Sequence, residues 1–327
     1  MSVRNTLHCP IPPSLSPHAG AAQDWLTGWL DRIGPALDPT VRRRAGQAGF
    51  ARYAARLYPD ADLLTLRTVS GMFTWFFLLD DDADGVREPD TRRLRVLCDQ
   101  ALSRLCDDGP ARRPAEPLHR LLEDAWRAPR STMPRHWRDR FTGAVQHHLN
   151  GVIAEAEAKA AGRLPTVDGY VRLRRATSAA YVAHVLGEYA AGRPLPDAVH
   201  RHPALQACST AANDLLSWFN DLLSLDRDAA TAGGHNLVLA LARERRLSMP
   251  EAVGAASAMW RERMDGFAGL RDGVPRFGPA VDVAVRHYLR AVERSVRGTI
   301  DWSLETVRYQ APPLVAPYLP QQRDATA

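Results

Sequence analysis

Apolar residues recur every three to four positions along almost the whole chain, and the alternation expected of a half-buried strand is nowhere sustained. Trp25, Leu26, Trp29 and Leu30 mark a first helix over 21–33, and the pattern continues over 41–57. A long apolar helix over 62–79 follows. Shorter helices are predicted at 91–106 and 118–126, separated by a loop rich in proline and arginine at 109–117. Residues 137–160 form a long helix, alanine-rich toward its end. Pro165 and Thr166 open a helix that runs to Tyr189 and is stopped by Gly192 and Pro194. Another spans 205–228 and is closed by Gly233 and Gly234; 235–245 follows it. Ser248 and Glu251 have the capping-box spacing for a helix toward Leu270. Val281, Val285, Tyr288, Val292, Val296 and Ile300 give the last helix one apolar face before it ends near Tyr309. No GxGxxG, Walker pattern or fixed-period repeat interrupts the series. The expectation is an all-α fold, ten or so helices in a single bundle domain over 19–309, with its site between facing helices. A proline-rich strap or arm precedes it at 1–18, and a proline-rich, disordered tail follows at 310–327.

Two stretches carry chemistry. In FTWFFLLDDDADG, residues 73–85, an apolar run leads directly into four carboxylates. Asp80, Asp81 and Asp84 fit DDxxD, and the i, i+4 relation sets the Cβ atoms of Asp80 and Asp84 roughly 5 to 6 Å apart. Like charges so placed destabilise a helix, and Mg²⁺, which prefers carboxylate oxygens and bridges to phosphates, would neutralise them. Asp82 points to a different face. As structure alone, the same residues are a helix end fraying into an acidic loop, with Gly85 as its stop. In WFNDLLSLDRD, residues 218–228, Asn220, Ser224 and Asp228 recur at i, i+4 and i+8 on one side of a helix, where an amide oxygen, a hydroxyl and a carboxylate can share one more hard cation. Asp221 and Asp226 fall off that face. Taken alone, this segment reads as an ordinary amphipathic helix.

Together, Asp80-Asp81-x-x-Asp84 and Asn220-Asp221-x-x-Ser224-x-x-x-Asp228 resemble the paired metal motifs of bacterial class I terpene synthases, or terpene cyclases. The family's second motif usually ends in Glu, so Asp228 keeps the charge with one methylene less. Arg308-Tyr309 is similar to the family's RY pair, and Arg174, 46 positions before Asn220, sits where the family places its diphosphate-sensing arginine. The resemblance runs from Trp25 to Tyr309. It implies a helical bundle around a central cavity and Mg²⁺-dependent ionisation of a linear prenyl diphosphate, with cyclisation of the carbocation to a terpene hydrocarbon or alcohol. Farnesyl diphosphate is favoured on family grounds, ahead of geranylgeranyl or geranyl diphosphate. Three Mg²⁺ ions are implied, with Asp80, Asp81 and Asp84 on one side and Asn220, Ser224 and Asp228 on the other. Arg174, Arg227, Arg308 and Tyr309 are the implied diphosphate ligands. Thr177 takes the family's linker role and the Ser178 backbone its effector role, although this chain has Ser178-Ala179-Ala180 where the family often has a glycine. Phe73, Phe76, Phe77, Phe219 and Trp302 are candidate aromatic walls for the cation. Phe77 and Trp302 lead, lying three residues before Asp80 and six before Arg308. The family's N-terminal segment can cover the site, and the resemblance allows a homodimer.

Composition narrows the alternatives. At 327 residues and 45% hydrophobic content the chain has ample material for a core. Its net charge of +5 comes from arginine, because Lys159 is the only lysine among 42 basic residues. The clusters Arg42-Arg43-Arg44 and Arg172, Arg174, Arg175 would suit nucleic acid, but 37 acidic residues are interspersed, which favours a solvated surface. Cys9, Cys98, Cys106 and Cys208 show no CxxC spacing and read as reduced thiols of a cytoplasmic protein. No signal-peptide core and no run of 18 apolar residues points to a membrane. His147, His148 and Glu155 do not read as a zinc site, because adjacent histidines diverge by about 100° on a helix. A chain-elongating prenyltransferase typically has two DDxxD motifs and lysine-rich diphosphate binding, whereas this chain has one such motif and one lysine. A non-enzymatic helical binding protein leaves both metal motifs unexplained.

Overall fold

The helix signals of the sequence are met one by one in the computed structural model, which describes residues 7–84, 91–106, 116–230 and 234–306, without the side chains of 82–84. Among these residues are fourteen helices and no strand. They are α1 (Ala19–Ile33), α2 (Pro39–Gln47), α3 (Phe50–Leu57), α4 (Leu63–Asp84), α5 (Thr91–Cys106), α6 (Pro117–Thr132), α7 (Arg135–Ala160), α8 (Val167–Thr177), α9 (Ala180–Ala190), α10 (Asp197–His200), α11 (Pro203–Ala230), α12 (Leu237–Arg245), α13 (Met249–Asp272) and α14 (Pro279–Glu305). Short polar side chains start several of them. Asp38 accepts from the Thr40 and Val41 amides at 2.8 and 3.2 Å, Thr166 from Gly169 at 3.1 Å, and Asn236 from Val238 at 2.9 Å. At the head of α13 the Glu251 carboxylate accepts from the Ser248 amide and hydroxyl at 2.8 and 2.6 Å, which is the expected capping box.

Two predicted helices are each broken in two. The 41–57 pattern is split at Gly49, whose φ of +73° ends one helical path and starts another. The helix predicted to run unbroken to Tyr189 is split between α8 and α9 at Ala179, which holds φ +55° and ψ +11°. Left-handed backbone costs a non-glycine residue about 1 to 2 kcal/mol, so packing and local hydrogen bonds must enforce the second break.

α9 is the axle of the bundle and packs against α4, α7, α11 and α14. Its residues 182–188 are all buried, the pattern of a helix enclosed on every side. The polar groups among them are matched. His184 lies 2.8 Å from the Ser209 hydroxyl and 3.0 Å from that of Ser295, and Glu188 accepts from Arg140 at 2.7 and 2.6 Å. Two apolar clusters fill the bundle. The first draws on α1 to α7, together with α9 and Ala291 and Trp302 of α14; the second joins α8 to α11 through α14.

The described part of the proline-rich N-terminus is a strap along α3 and α14. The Ser16 amide donates to the Ala55 carbonyl at 3.0 Å, and Arg297 donates to the Ile11 carbonyl at 3.0 Å. No disulfide joins the cysteines, and among the described residues no helix is long and apolar enough to cross a membrane. The segment 307–327, including the tail, lies outside the described residues.

The α8/α9 break rests on α7 through Gly151. A Cβ there would come within 2.6 Å of the Ala176 Cβ and 3.1 Å of the Thr177 amide nitrogen. Gly151→Ala is therefore expected to lower stability by about 1 to 3 kcal/mol in spite of alanine's better helix propensity. Urea unfolding measures it, and adding Ala176→Gly should recover part of the loss.

Candidate active site

The α4 motif sits at the end of its helix, and the α11 motif is spread over roughly the last three turns of its own. Asp80 is half-buried and Asp81 exposed near the end of α4, whose final turn contains no basic residue. The C-terminal end of a helix carries partial negative charge, so carboxylates there add to an existing anionic field and attract cations. Asn220 and Asp228 are half-buried and Ser224 is buried toward the end of α11. The Ser224 hydroxyl donates to Asp228 Oδ2 at 2.7 Å, Asn236 Nδ2 donates to the same oxygen at 3.0 Å, and Arg227 Nε reaches Oδ1 at 3.3 Å. The short aspartate is thus held on three sides.

Arg174 stands over this group. Its Nη2 donates to Asn220 Oδ1 at 2.9 Å and its Nε to Asp221 Oδ1 at 2.9 Å. Asp221, off the face in sequence terms, is buried and also accepts from the Tyr170 hydroxyl at 2.7 Å and the Leu237 amide at 3.2 Å. Burial pushes the Asp221 carboxyl above its ordinary range, while Arg174 and Tyr170 oppose the rise. Burial works against the Arg174 charge as well, but Asp221, Tyr170 and Glu155 together outweigh it and hold the guanidinium above its usual value. Sequence reasoning missed Tyr170, Asp221 and Asn236. The available signals were Tyr170 one turn before Arg174, and Asn236 as the helix cap after Gly233-Gly234.

A chain of contacts brings the α4 motif to the same end of the bundle. Phe76, one turn before Asp80, meets the His148 ring edge-on at 5.5 Å; His148 Nδ1 lies 3.2 Å from the Ala176 carbonyl, two residues from Arg174. Burial pushes His148 down to about 4, so it is neutral at pH 7 and adds no competing charge. The helix break lies here. Ser178 Oγ donates to Asn213 Oδ1 at 2.8 Å and accepts from the Ala180 amide at 3.2 Å, while Thr177 Oγ1 turns back to the Arg174 carbonyl at 3.5 Å. Ala179, between Ser178 and Ala180, takes the left-handed conformation without being a glycine.

The aromatic candidates divide. Phe73, Phe77 and Trp302 share one cluster with Tyr53 and Phe50. Trp302 stacks on Tyr53 at 4.6 Å and lies 5.1 Å from Phe77, and its indole nitrogen donates to the Ala48 carbonyl at 3.1 Å. Tyr53 lies 5.0 Å from Phe73, and Phe50 stacks on Phe77 at 4.5 Å. Phe76 faces the other way, toward Trp75 and His148, and Phe219 is buried in the second apolar cluster. The Asp84 side chain, Arg308 and Tyr309 lie outside the described residues. A cavity of about 170 Å³ lined by Arg140, Tyr181, His200, Ser209 and Tyr288 is elsewhere, since Ser209 precedes Asn220 by roughly 16 Å of helix.

Asn220, Ser224 and Asp228 offer only hard oxygens, a donor set that suits Mg²⁺ and not zinc. Among the described residues no three His, Cys, Asp or Glu side chains gather into a metal cluster, His147, His148 and Glu155 included. Residues 72–266, which contain both motifs, match the family model described as terpene synthase family 2, C-terminal metal binding. The chain belongs to the terpene synthase family. It is a class I terpene synthase, an enzyme of the kind that acts on prenyl diphosphates. The synthase is 32% identical to sesquiterpene synthase 6 of Postia placenta over 92% of this chain and 88% of that one. It is 29% identical to 10-epi-cubebol synthase of Sorangium cellulosum over 95% and 99%. Among solved structures it is similar to germacradien-4-ol synthase from Streptomyces citricolor, with a TM-score of 0.81 and 25% identity over 94% of this chain and all of that one.

Asn236 ties this site to the fold, because its amide caps α12, donates to the Asp221 carbonyl at 2.8 Å and holds Asp228. Asn236→Ala is expected to cost the synthase about 1 to 2 kcal/mol of stability. It should also reduce the rise in melting temperature that Mg²⁺ with inorganic diphosphate gives, as paired thermal melts would show.

Proposed function

We propose that the synthase ionises farnesyl diphosphate and cyclises the resulting cation to a sesquiterpene, with three Mg²⁺ ions held by Asp80, Asp81 and Asp84 across from Asn220, Ser224 and Asp228. The observation that carries this reading is the contact of Arg174 with Asn220, beside Ser224 and Asp228. It sets a fixed guanidinium at the ligand group where a diphosphate would rest. When bound, the metal ions supply Lewis-acid stabilisation of the departing diphosphate. The residues of the chain do the rest. Arg174, Arg227, Arg308 and Tyr309 orient the diphosphate through charge-assisted hydrogen bonds. Thr177 and Ser178, at the end of the segment that bears Arg174, link the seating of the diphosphate to the helix break. Phe73, Phe77 and Trp302 wall the hydrocarbon, exclude water and offer π-faces worth roughly 0.5 to 2 kcal/mol each to a desolvated cation. Phe76 supports that wall from behind. The sesquiterpene synthases of Postia placenta support the fifteen-carbon substrate.

The test is incubation with geranyl, farnesyl and geranylgeranyl diphosphates, with and without Mg²⁺, followed by mass spectrometry of the extract. Farnesyl diphosphate should give cyclic hydrocarbon or alcohol only with Mg²⁺, and an exclusively twenty-carbon product would overturn the substrate assignment. Asp80→Asn and Asp81→Asn should each lower diphosphate release at least a hundredfold while the melting temperature holds, because the amide keeps the shape and removes the charge. Wild-type turnover in either variant would remove α4 from the metal site.

A further inference from the structure

The grip on Arg174 has a polarity that the reaction alone does not require. Asp221 is 2% exposed, and its carboxylate takes bonds from Arg174 Nε at 2.9 Å, the Tyr170 hydroxyl at 2.7 Å and the Leu237 amide at 3.2 Å. A buried carboxylate persists only when its lone pairs are met, so this end of the guanidinium is fixed. The other end meets a half-buried partner. Arg174 Nη2 lies 2.9 Å from Asn220 Oδ1, the oxygen that the proposed metal site would use. A divalent cation ligated by that oxygen would stand beside the guanidinium and repel it, which weakens this bond.

Resting on the function proposed above, we infer that Asp221 is a positioning residue that pivots Arg174 between two partners. In the metal-free state Arg174 caps Asn220. When a cation claims the amide oxygen, Arg174 gives up Asn220, keeps its Nε on Asp221, and presents its Nη atoms to the diphosphate. Tyr170 and the first turn of α12 lock the pivot by holding the second oxygen of Asp221. Metal loading and diphosphate capture are thereby coupled through one side chain, and the arginine's charge stays covered until the site is filled.

Two variants of the full chain test this. Asp221→Asn keeps the shape but loosens the pivot, and calorimetric titration with inorganic diphosphate in excess Mg²⁺ should show roughly tenfold weaker binding, with KM raised more than kcat is lowered. The double variant Arg174→Leu with Asp221→Asn leaves the net charge near Asn220 unchanged and removes the cap. It should bind Mn²⁺ alone roughly tenfold more tightly than wild type, as read from the electron paramagnetic resonance of free Mn²⁺. Melting curves check that both variants fold. If Asp221→Asn lowers the melting temperature and leaves diphosphate affinity unchanged, Asp221 is only a packing residue and the pivot is overturned. Unchanged Mn²⁺ affinity in the double variant overturns the cap. A wild-type protein that binds no diphosphate with Mg²⁺ would instead defeat the proposed function, a result distinct from either.

Discussion

Negative charge gathered at the negative ends of two helices is the constraint around which this structure is arranged. α4 ends in a run of carboxylates and α11 carries Asp228 in its last turn, where the helix dipole already repels negative charge. Neither helix gains stability from that placement, and the surrounding elements compensate. Asp228 is covered by Ser224, Asn236 and Arg227, and Asp221 by Arg174, Tyr170 and the start of α12. Asp80 and Asp81 stand near the end of a helix whose last turn has no basic residue of its own.

α9 is enclosed, and its buried polar groups, His184 and Glu188, are matched within the frame. A site that handles a carbocation needs walls without nucleophiles, and the bundle supplies them from helices that converge on one axle. Trp302 shows how closely wall and frame are merged. Its ring stacks on Tyr53 and borders Phe77, yet its nitrogen fastens α14 to the turn before Gly49. One residue shapes the aromatic cluster and ties the last helix to the first ones.

Much of this was legible in the sequence, and what was not has physical causes. Helical periodicity located the elements because burial of an amphipathic face dominates their stability, whereas the two oxygen-rich motifs offered ligands for hard cations and only the family resemblance joined them into one site. The break at Ala179 was hidden because no glycine marks it. Ser178 and Asn213 enforce it through contacts 35 residues apart. Asp221 was set aside because a helical wheel gives a residue's direction and says nothing of what arrives from that side. Arg174 and Tyr170 come from another helix, and only packing brings them there. The aromatic candidates sorted for the same reason, with Phe73 turning toward Tyr53, Phe77 toward Trp302, and Phe76, one position away, toward His148.

The N-terminal strap carries a consequence for how the chain is made. Arg297 holds the carbonyl of Ile11 across 286 residues, Arg56 reaches Asp301 and Glu305, and Trp302 closes on Ala48. During synthesis the N-terminal segments leave the ribosome long before α14 exists, and contacts of such sequence separation close late. Helix α3 therefore waits, with Phe50 and Tyr53 lacking their Trp302 partner, until α14 has been made.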